Sequence, residues 1–297
     1  MDQLDLQVFR SLLQKAVRRG EVKIVEKVVK YLLSIGDIKW LGRRLTVIIY
    51  EECWTIGDQI TDCNILEQYK NLTLTVKNKD AAGLATLAAK YNEGNWSALR
   101  GTKPQRDAIT SVANAIKNPD AFWSWVKGQK LAFNKHHGRI KAAKVAVSKA
   151  NFETDKAMMF AAAYFAVKDE IPITTHVQPQ QSKDFPYWIA YDKHTSEGKE
   201  IIIEACQKIN IYASRGMQLA FYFEGALCNQ LTASPYWHLS KDWQIENMGY
   251  TDTQADIIWN KLKPEIIELT KKRVEELRAT LDKPISSKVS GDQLSLL

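Results

Sequence analysis

Cysteine is sparse in this chain of 297 residues, and its four copies, Cys53, Cys63, Cys206 and Cys228, form no CxxC pair. None stands beside a histidine at ligand spacing, so a spacing-defined metal site is excluded and four reduced, mostly buried thiols are expected. His136 and His137 are neighbours, but adjacent positions diverge on a helix and no third ligand lies close, so they define no metal site either. Long apolar runs are also missing. The longest, 157–167, lies between Lys156 and Lys168 and is about half of the roughly 20 residues a membrane-spanning helix needs. The amino-terminal MDQLDLQVF is acidic and has neither the basic flank nor the small-residue cleavage site of a secretory signal. No phosphate-cradling GxxxxGK[ST] loop occurs; the nearest Gly-Lys pair sits in Glu197-Gly198-Lys199-Glu200. No internal repeat is found. These absences give a cytoplasmic protein with no membrane partner, no cofactor and no metal as the expectation.

What is present is an ordinary globular mixture, 45% hydrophobic and 25% charged, with a formal charge of +7 and a pI near 9.0. The length suits one large domain or two smaller ones. The basic excess permits an anionic partner without requiring one.

The pattern is helical almost throughout, and the expected fold is an all-α multi-helix bundle. Phe9, Leu12, Leu13, Ala16 and Val17 recur at i, i+3, i+4, i+7 and i+8, as do Val25, Val28, Val29, Leu32 and Leu33. Gly20 divides these runs, Gly36-Asp37 ends the second, and Asp37 can cap a third helix through Trp40, Leu41, Leu45 and Ile48. Residues 58–92 continue the helical pattern. Asn118-Pro119 divides two further helices, 106–116 and 120–126, with Asn118 placed as a cap and Trp123 and Trp125 as core. Residues 171–177 alternate like a short strand, and 171–195 reads as an excursion between a first helical domain, 1–170, and a second helical portion, 171–284. In the latter, 216–228 reads as a buried helix with Phe221, Tyr222 and Phe223 as core, and 234–243 as an aromatic loop. Thr253 with Asp256 opens a helix to Leu262. Pro264 then starts a last helix with Ile267, Val274, Leu277 and Leu281 on one seam.

Several short stretches resemble a known family. Gln14-Lys15-Ala16-Val17-Arg18-Arg19-Gly20-Glu21, then Leu32-Leu33-Ser34-Ile35-Gly36, then Arg43-Arg44-Leu45 and Glu51-Glu52 are similar to the helical C-terminal region of the RarA/MgsA replication-associated AAA+ ATPases. The resemblance covers about the first sixty residues. Glu51-Glu52 departs from the more usual Glu-Asp, and Cys53-Trp54 replaces the Ile-Gly that follows it in the family. The resemblance implies a collar-like bundle of the clamp-loader type, a role at stalled replication forks, and oligomerisation with itself or with a separate AAA+ ATPase subunit. The family's ATPase half has no counterpart, so ATP hydrolysis is not implied.

Two interior clusters are candidates for chemistry. The stretch 130–149 is the most basic, and on a helix from about Gly138 it presents Lys141 and Lys144 on one face, with Lys135 and Arg139 nearby. Lysines so placed can track a nucleic-acid backbone without reading sequence; the plainer reading is a solvated helix face. Asp184 or Asp192 with Glu197 and Lys199 matches the carboxylate, Glu-x-Lys spacing of metal-dependent nucleases, in which two carboxylates hold Mg²⁺. Those sites need a strand, whereas Thr195 or Ser196 as N-cap with Glu197 in the first helical turn explains the same residues without catalysis. The balance favours a protein without a catalytic site.

The last cluster is Gln293, Leu294, Ser295, Leu296 and Leu297, after a Ser- and Gly-containing stretch, 285–292. It resembles the Gln-Leu-Ser/Asp-Leu-Phe peptide with which bacterial polymerases and mismatch-repair proteins hold the replication sliding clamp, leucine also being seen at the last place. The resemblance implies a clamp-binding function for a disordered tail, 285–297. The competing expectation is that the leucines dock into a groove of the same chain.

Overall fold

The computed structural model describes residues 5–53, 63–149, 153–167, 179, 184–228, 231 and 234–284. The strand-like stretch 171–177 and the tail 285–297 therefore lie outside the described residues. Among those described, fourteen α-helices and no strand are present, so the fold is all-α, as the periodicity predicts.

The first three helices are α1 (Leu6–Arg18), α2 (Val22–Ser34) and α3 (Ile38–Glu52). Their apolar stripes are buried, from Phe9, Leu12 and Leu13 to Leu41 and Ile48. Gly20 and Gly36 take φ of 74° and 81° in the two turns, a backbone region where a side chain is strained. Asp37 precedes α3 but makes no side-chain capping bond, because its carboxylate is held by Arg10 instead.

The helical run predicted over 58–92 is broken. Helix α4 (Ile65–Thr73) and α5 (Asp80–Asn92) are separated by an extended stretch in which Lys77 bridges to Leu231. Lys77 is fully buried, and its ammonium donates to the carbonyls of Leu72 at 2.7 Å and Thr75 at 2.6 Å, placing a cation at the C-terminal end of α4.

Helices α6 (Lys103–Lys117) and α7 (Pro119–Gly128) meet at Asn118, whose side chain accepts from Ala121 N at 3.1 Å, as expected of the cap. Trp123 is buried, whereas Trp125 is 37% exposed and stacks on Tyr164. Then come α8 (Lys130–Lys135), α9 (His137–Lys149), α10 (Glu153–Ala166), α11 (Ser196–Lys208) and α12 (Ala213–Ala220). The predicted buried helix over 216–228 is shorter than expected. It passes into a π-turn, Phe221–Gly225, whose three aromatics are only partly buried.

Residues 234–243 are not a loop. They form α13 (Pro235–Asn247), because Pro235 sits in the first turn, where its missing N–H costs nothing. Likewise Pro264 starts no helix. It lies within α14 (Asp252–Asp282), which Thr251 and Gln254 open with a reciprocal capping box in place of the expected Thr253 and Asp256. Packing on α11, α12 and α2 keeps α14 continuous past the proline. Its buried stripe runs through Ile266, Thr270, Leu277 and Leu281, and Ile267 is 39% exposed.

Helix α5 is the centre of the packing, in contact with α3, α6, α10 and α13. Its small residues allow this: Ala81, Ala85 and Ala88 are buried, and Gly83 lies against the backbone of Tyr236 and Trp237. One continuous core reaches from Val8 to Leu281.

Candidate functional site

The apolar stripe of α1 leaves a second stripe at the same helical spacing: Gln7, Arg10, Ser11, Gln14, Lys15 and Arg18. A polar stripe on a terminal helix ordinarily faces water. Here it lines a cleft of about 370 Å³ walled by α3, α5, α10, the 192–195 turn, Phe221 and Trp237. Burial is graded along the stripe. Gln7 is exposed, Arg10 and Gln14 are half-buried, and Lys15 and Arg18 are buried. Helix α1 thus runs from the mouth of the cleft to its floor.

The floor is a set of matched charges. Lys15 donates to Ser11 Oγ at 2.9 Å and pairs with Asp192, which also accepts from His194 N at 2.9 Å. Arg18 pairs with Glu52 through Nε, lies 3.7 Å from Glu51, and donates through Nη1 to the Gly225 carbonyl at 2.9 Å. Lys79 reaches Glu52 at 3.2 Å with its ammonium 4.8 Å from the Trp237 ring centre. Behind this floor Arg19 donates to the Glu224 carbonyl at 2.7 Å and its carboxylate at 3.3 Å, and Lys263 pairs with the same carboxylate. Two buried atoms here, Glu52 Oε2 and Arg19 Nη1, have no hydrogen-bond partner among the described residues.

Burial alone would drive all these carboxyls towards neutrality. Burial raises Glu51, with Arg18 pulling the other way. Glu52 ends at about 2, because against its burial Arg18 and Lys79 hold the charge in place. Asp192 is likewise held well below the usual carboxylate range, its burial outweighed by Lys15 and His194. Burial lowers Lys15 despite Asp192. The floor is therefore held by opposed charges, each conditional on its neighbours.

The mouth is different. Arg10 is fixed by two parallel bonds to Asp37, at 2.9 and 2.8 Å. The guanidinium carbons of Arg10 and Arg44 lie 5.0 and 5.7 Å from the Trp40 ring centre. Arg44 pairs with no carboxylate among the described residues. Burial raises Asp155 on the opposite wall, and Arg44 opposes that rise.

The residues singled out from the sequence are spread over several places. Asp192 is in the cleft, paired with Lys15. Thr195 caps α11 by accepting from Gly198 N at 3.0 Å, Glu197 lies 3.0 Å from Arg273 Nε, and Lys199 and Asp184 are exposed. No three His, Cys, Asp or Glu side chains among the described residues are grouped to hold a metal. On α8 and α9, Lys135, Lys141 and Lys144 are exposed and Arg139 half-buried, while Ile140, Ala143 and Val147 are buried. Among the described residues no helix is long and apolar enough to cross a membrane. The cleft itself was not foreseen. Its signal was the second stripe of α1, since a helix with charged residues at core spacing on one face and apolar ones on another can bury both.

The fold and this cleft define an all-helical protein with a buried ion-pair network opening onto a basic, aromatic mouth. No family model, no curated protein and no solved structure matches the chain.

Proposed function

We propose that the chain is a non-enzymatic accessory of DNA replication or repair, a helical body resembling the C-terminal region of RarA/MgsA ATPases and tethered to the sliding clamp by Gln293, Leu294, Ser295, Leu296 and Leu297. The observation that carries this reading is the pentapeptide itself: a glutamine ahead of three leucines, a pattern that a self-docking segment would not need. It is supported from the other end of the chain. Arg18, Glu51 and Glu52, quoted above for the family resemblance, meet in one ion-pair network, as residues that define a folding module would.

Burying three leucines gains about 5–9 kcal/mol before ordering and association costs, so the peptide alone binds at about micromolar affinity or weaker. Residues 285–292 reach at most about 30 Å, which keeps the body beside the clamp. Contacts of the body with DNA through Lys135, Arg139, Lys141 and Lys144, or with a second copy or a separate ATPase subunit, would then raise the effective affinity.

The test is a pull-down or polarisation titration of the full chain on a bacterial sliding clamp. Wild type binds, and the double variant Gln293→Ala, Leu296→Ala does not. Equal binding by both would remove the reading.

A further inference from the structure

We propose that the mouth of the α1 cleft binds a nucleoside phosphate, with the phosphate on Arg44 and Arg10 and the base over a guanidinium that Trp40 backs. This goes beyond clamp tethering and does not depend on it.

The cleft has the size of a small-ligand site, which spans about 300–1,000 Å³. It combines the two things a nucleotide needs, planar cationic donors and aromatic surface. Arg44 keeps its whole guanidinium fork, since no carboxylate of the described residues pairs with it. Arg10 spends Nε and Nη2 on Asp37, a bond pair that orients the group and leaves Nη1 uncommitted. Both guanidiniums stand over the half-buried Trp40 indole, so phosphate donors and aromatic surface are adjacent, and a base stacks on the outer plane of a guanidinium that the indole backs.

The polar remainder suits the other half of the ligand. Gln7 and Gln14 flank Arg10 on the same face of α1, and their side-chain amides make no hydrogen bond with the described residues. Amides of this kind can donate to and accept from a base edge or a sugar hydroxyl. Asp155 adds an acceptor suited to an exocyclic amino group. Below them Lys15 faces Asp192 and Arg18 faces Glu52, so the floor is closed by ion pairs that a ligand at the mouth need not break.

The same chemistry is offered by a free nucleotide and by the phosphorylated end of a single strand. The experiment separates them by calorimetric titration of the full chain with deoxynucleoside triphosphates, one at a time, and with a short 5′-phosphorylated oligodeoxynucleotide. Saturable one-site binding of either probe is expected; binding by the oligonucleotide alone assigns the site to strand ends. Arg44→Gln and Trp40→Ala each weaken it about tenfold or more, the loss of a charge-assisted bond or a stacked base. Arg44 makes no ion pair or hydrogen bond with the described residues, so its variant keeps a melting temperature close to that of wild type. Gln14→Glu, which puts a negative charge at the mouth, is the second probe and also weakens binding. The chain lacking 293–297 binds as wild type does. Absence of saturable binding, equal binding by Arg44→Gln and Gln14→Glu, or inorganic triphosphate binding as tightly as the nucleotides would each overturn the proposal.

Discussion

Arg18 joins the end of α1 to the end of α3: its Nε donates to Glu52, and its Nη1 donates to the Gly225 carbonyl in the π-turn. Three distant segments therefore converge on one guanidinium. Glu52→Ala strips Arg18 and Lys79 of their shared partner, leaving buried Lys79 without a carboxylate and Arg18 with only Glu51, at 3.7 Å. Breaking a buried pair in this way costs about 3–5 kcal/mol. Urea unfolding should show a lower midpoint with little change in slope. A stability within about 1 kcal/mol of wild type would mean that the network contributes no net stability. Glu51→Gln should cost less, because burial already favours the neutral form of that carboxyl.

The same network sets an acid limit. Glu52 is displaced from its ordinary 4.5 down to about 2, and Asp192 is displaced in the same direction. A depressed folded-state pKa means that the unfolded chain takes up the proton first. The stability these groups contribute is thus complete above about pH 4.5 and is lost as pH falls towards about 2. Glu51, raised by burial, works in the opposite sense and partly offsets the loss. Melting temperatures from neutral pH down to about pH 3 should fall steeply for wild type and less steeply for Glu52→Gln. Parallel curves would count against the assignment.

The helices were legible in the sequence wherever an apolar stripe was long and its ends were marked. Gly20, Gly36 and Asn118 stand at the expected breaks, and Phe9, Leu12 and Val29 are in the core. The errors fall where one residue supports two readings. Pro235 looks like a loop residue but fits a first turn, and Pro264 looks like a start but is held inside a helix by packing that no local pattern reveals. Asp37 could cap α3, yet a bidentate arginine from α1 holds it instead. The cleft was illegible for a further reason. Lys15 and Asp192 are 177 residues apart, and nothing local to either indicates that the other will neutralise it. The quoted Arg-Arg and Glu-Glu pairs contained half of the floor, but as sequence they showed only charge, not partnership.

Close packing at the centre predicts a sharp sensitivity at Gly83. A Cβ there would fall on the backbone of Tyr236 and Trp237, which cannot rotate aside as a side chain would. Gly83→Ala improves helix propensity yet forces α5 and α13 apart. Overpacking of this kind costs about 1–3 kcal/mol, more than the roughly 1 kcal/mol that propensity returns. A lower melting temperature is expected in circular dichroism, together with weaker near-ultraviolet signal from the neighbouring Trp237. A melting temperature above wild type would show that α5 and α13 pack less tightly than the structure has them.

The basic helix α9 can be separated from the fold by the same logic. Ile140, Ala143 and Val147 hold it to the core, so Lys141 and Lys144 are free to change without disturbing packing. Lys144 also lies 5.9 Å from the Trp123 ring, a contact that contributes little at an exposed position. The double variant Lys141→Glu, Lys144→Glu should stay within about 1 kcal/mol of wild-type stability. If these lysines meet phosphates, DNA retention measured by anisotropy weakens at every salt concentration. The slope of log affinity against log salt then shrinks by about 0.9 for each lost contact, close to 2 in all. An unchanged slope with unchanged affinity would place the lysines on a solvated face and leave DNA contact to other parts of the chain.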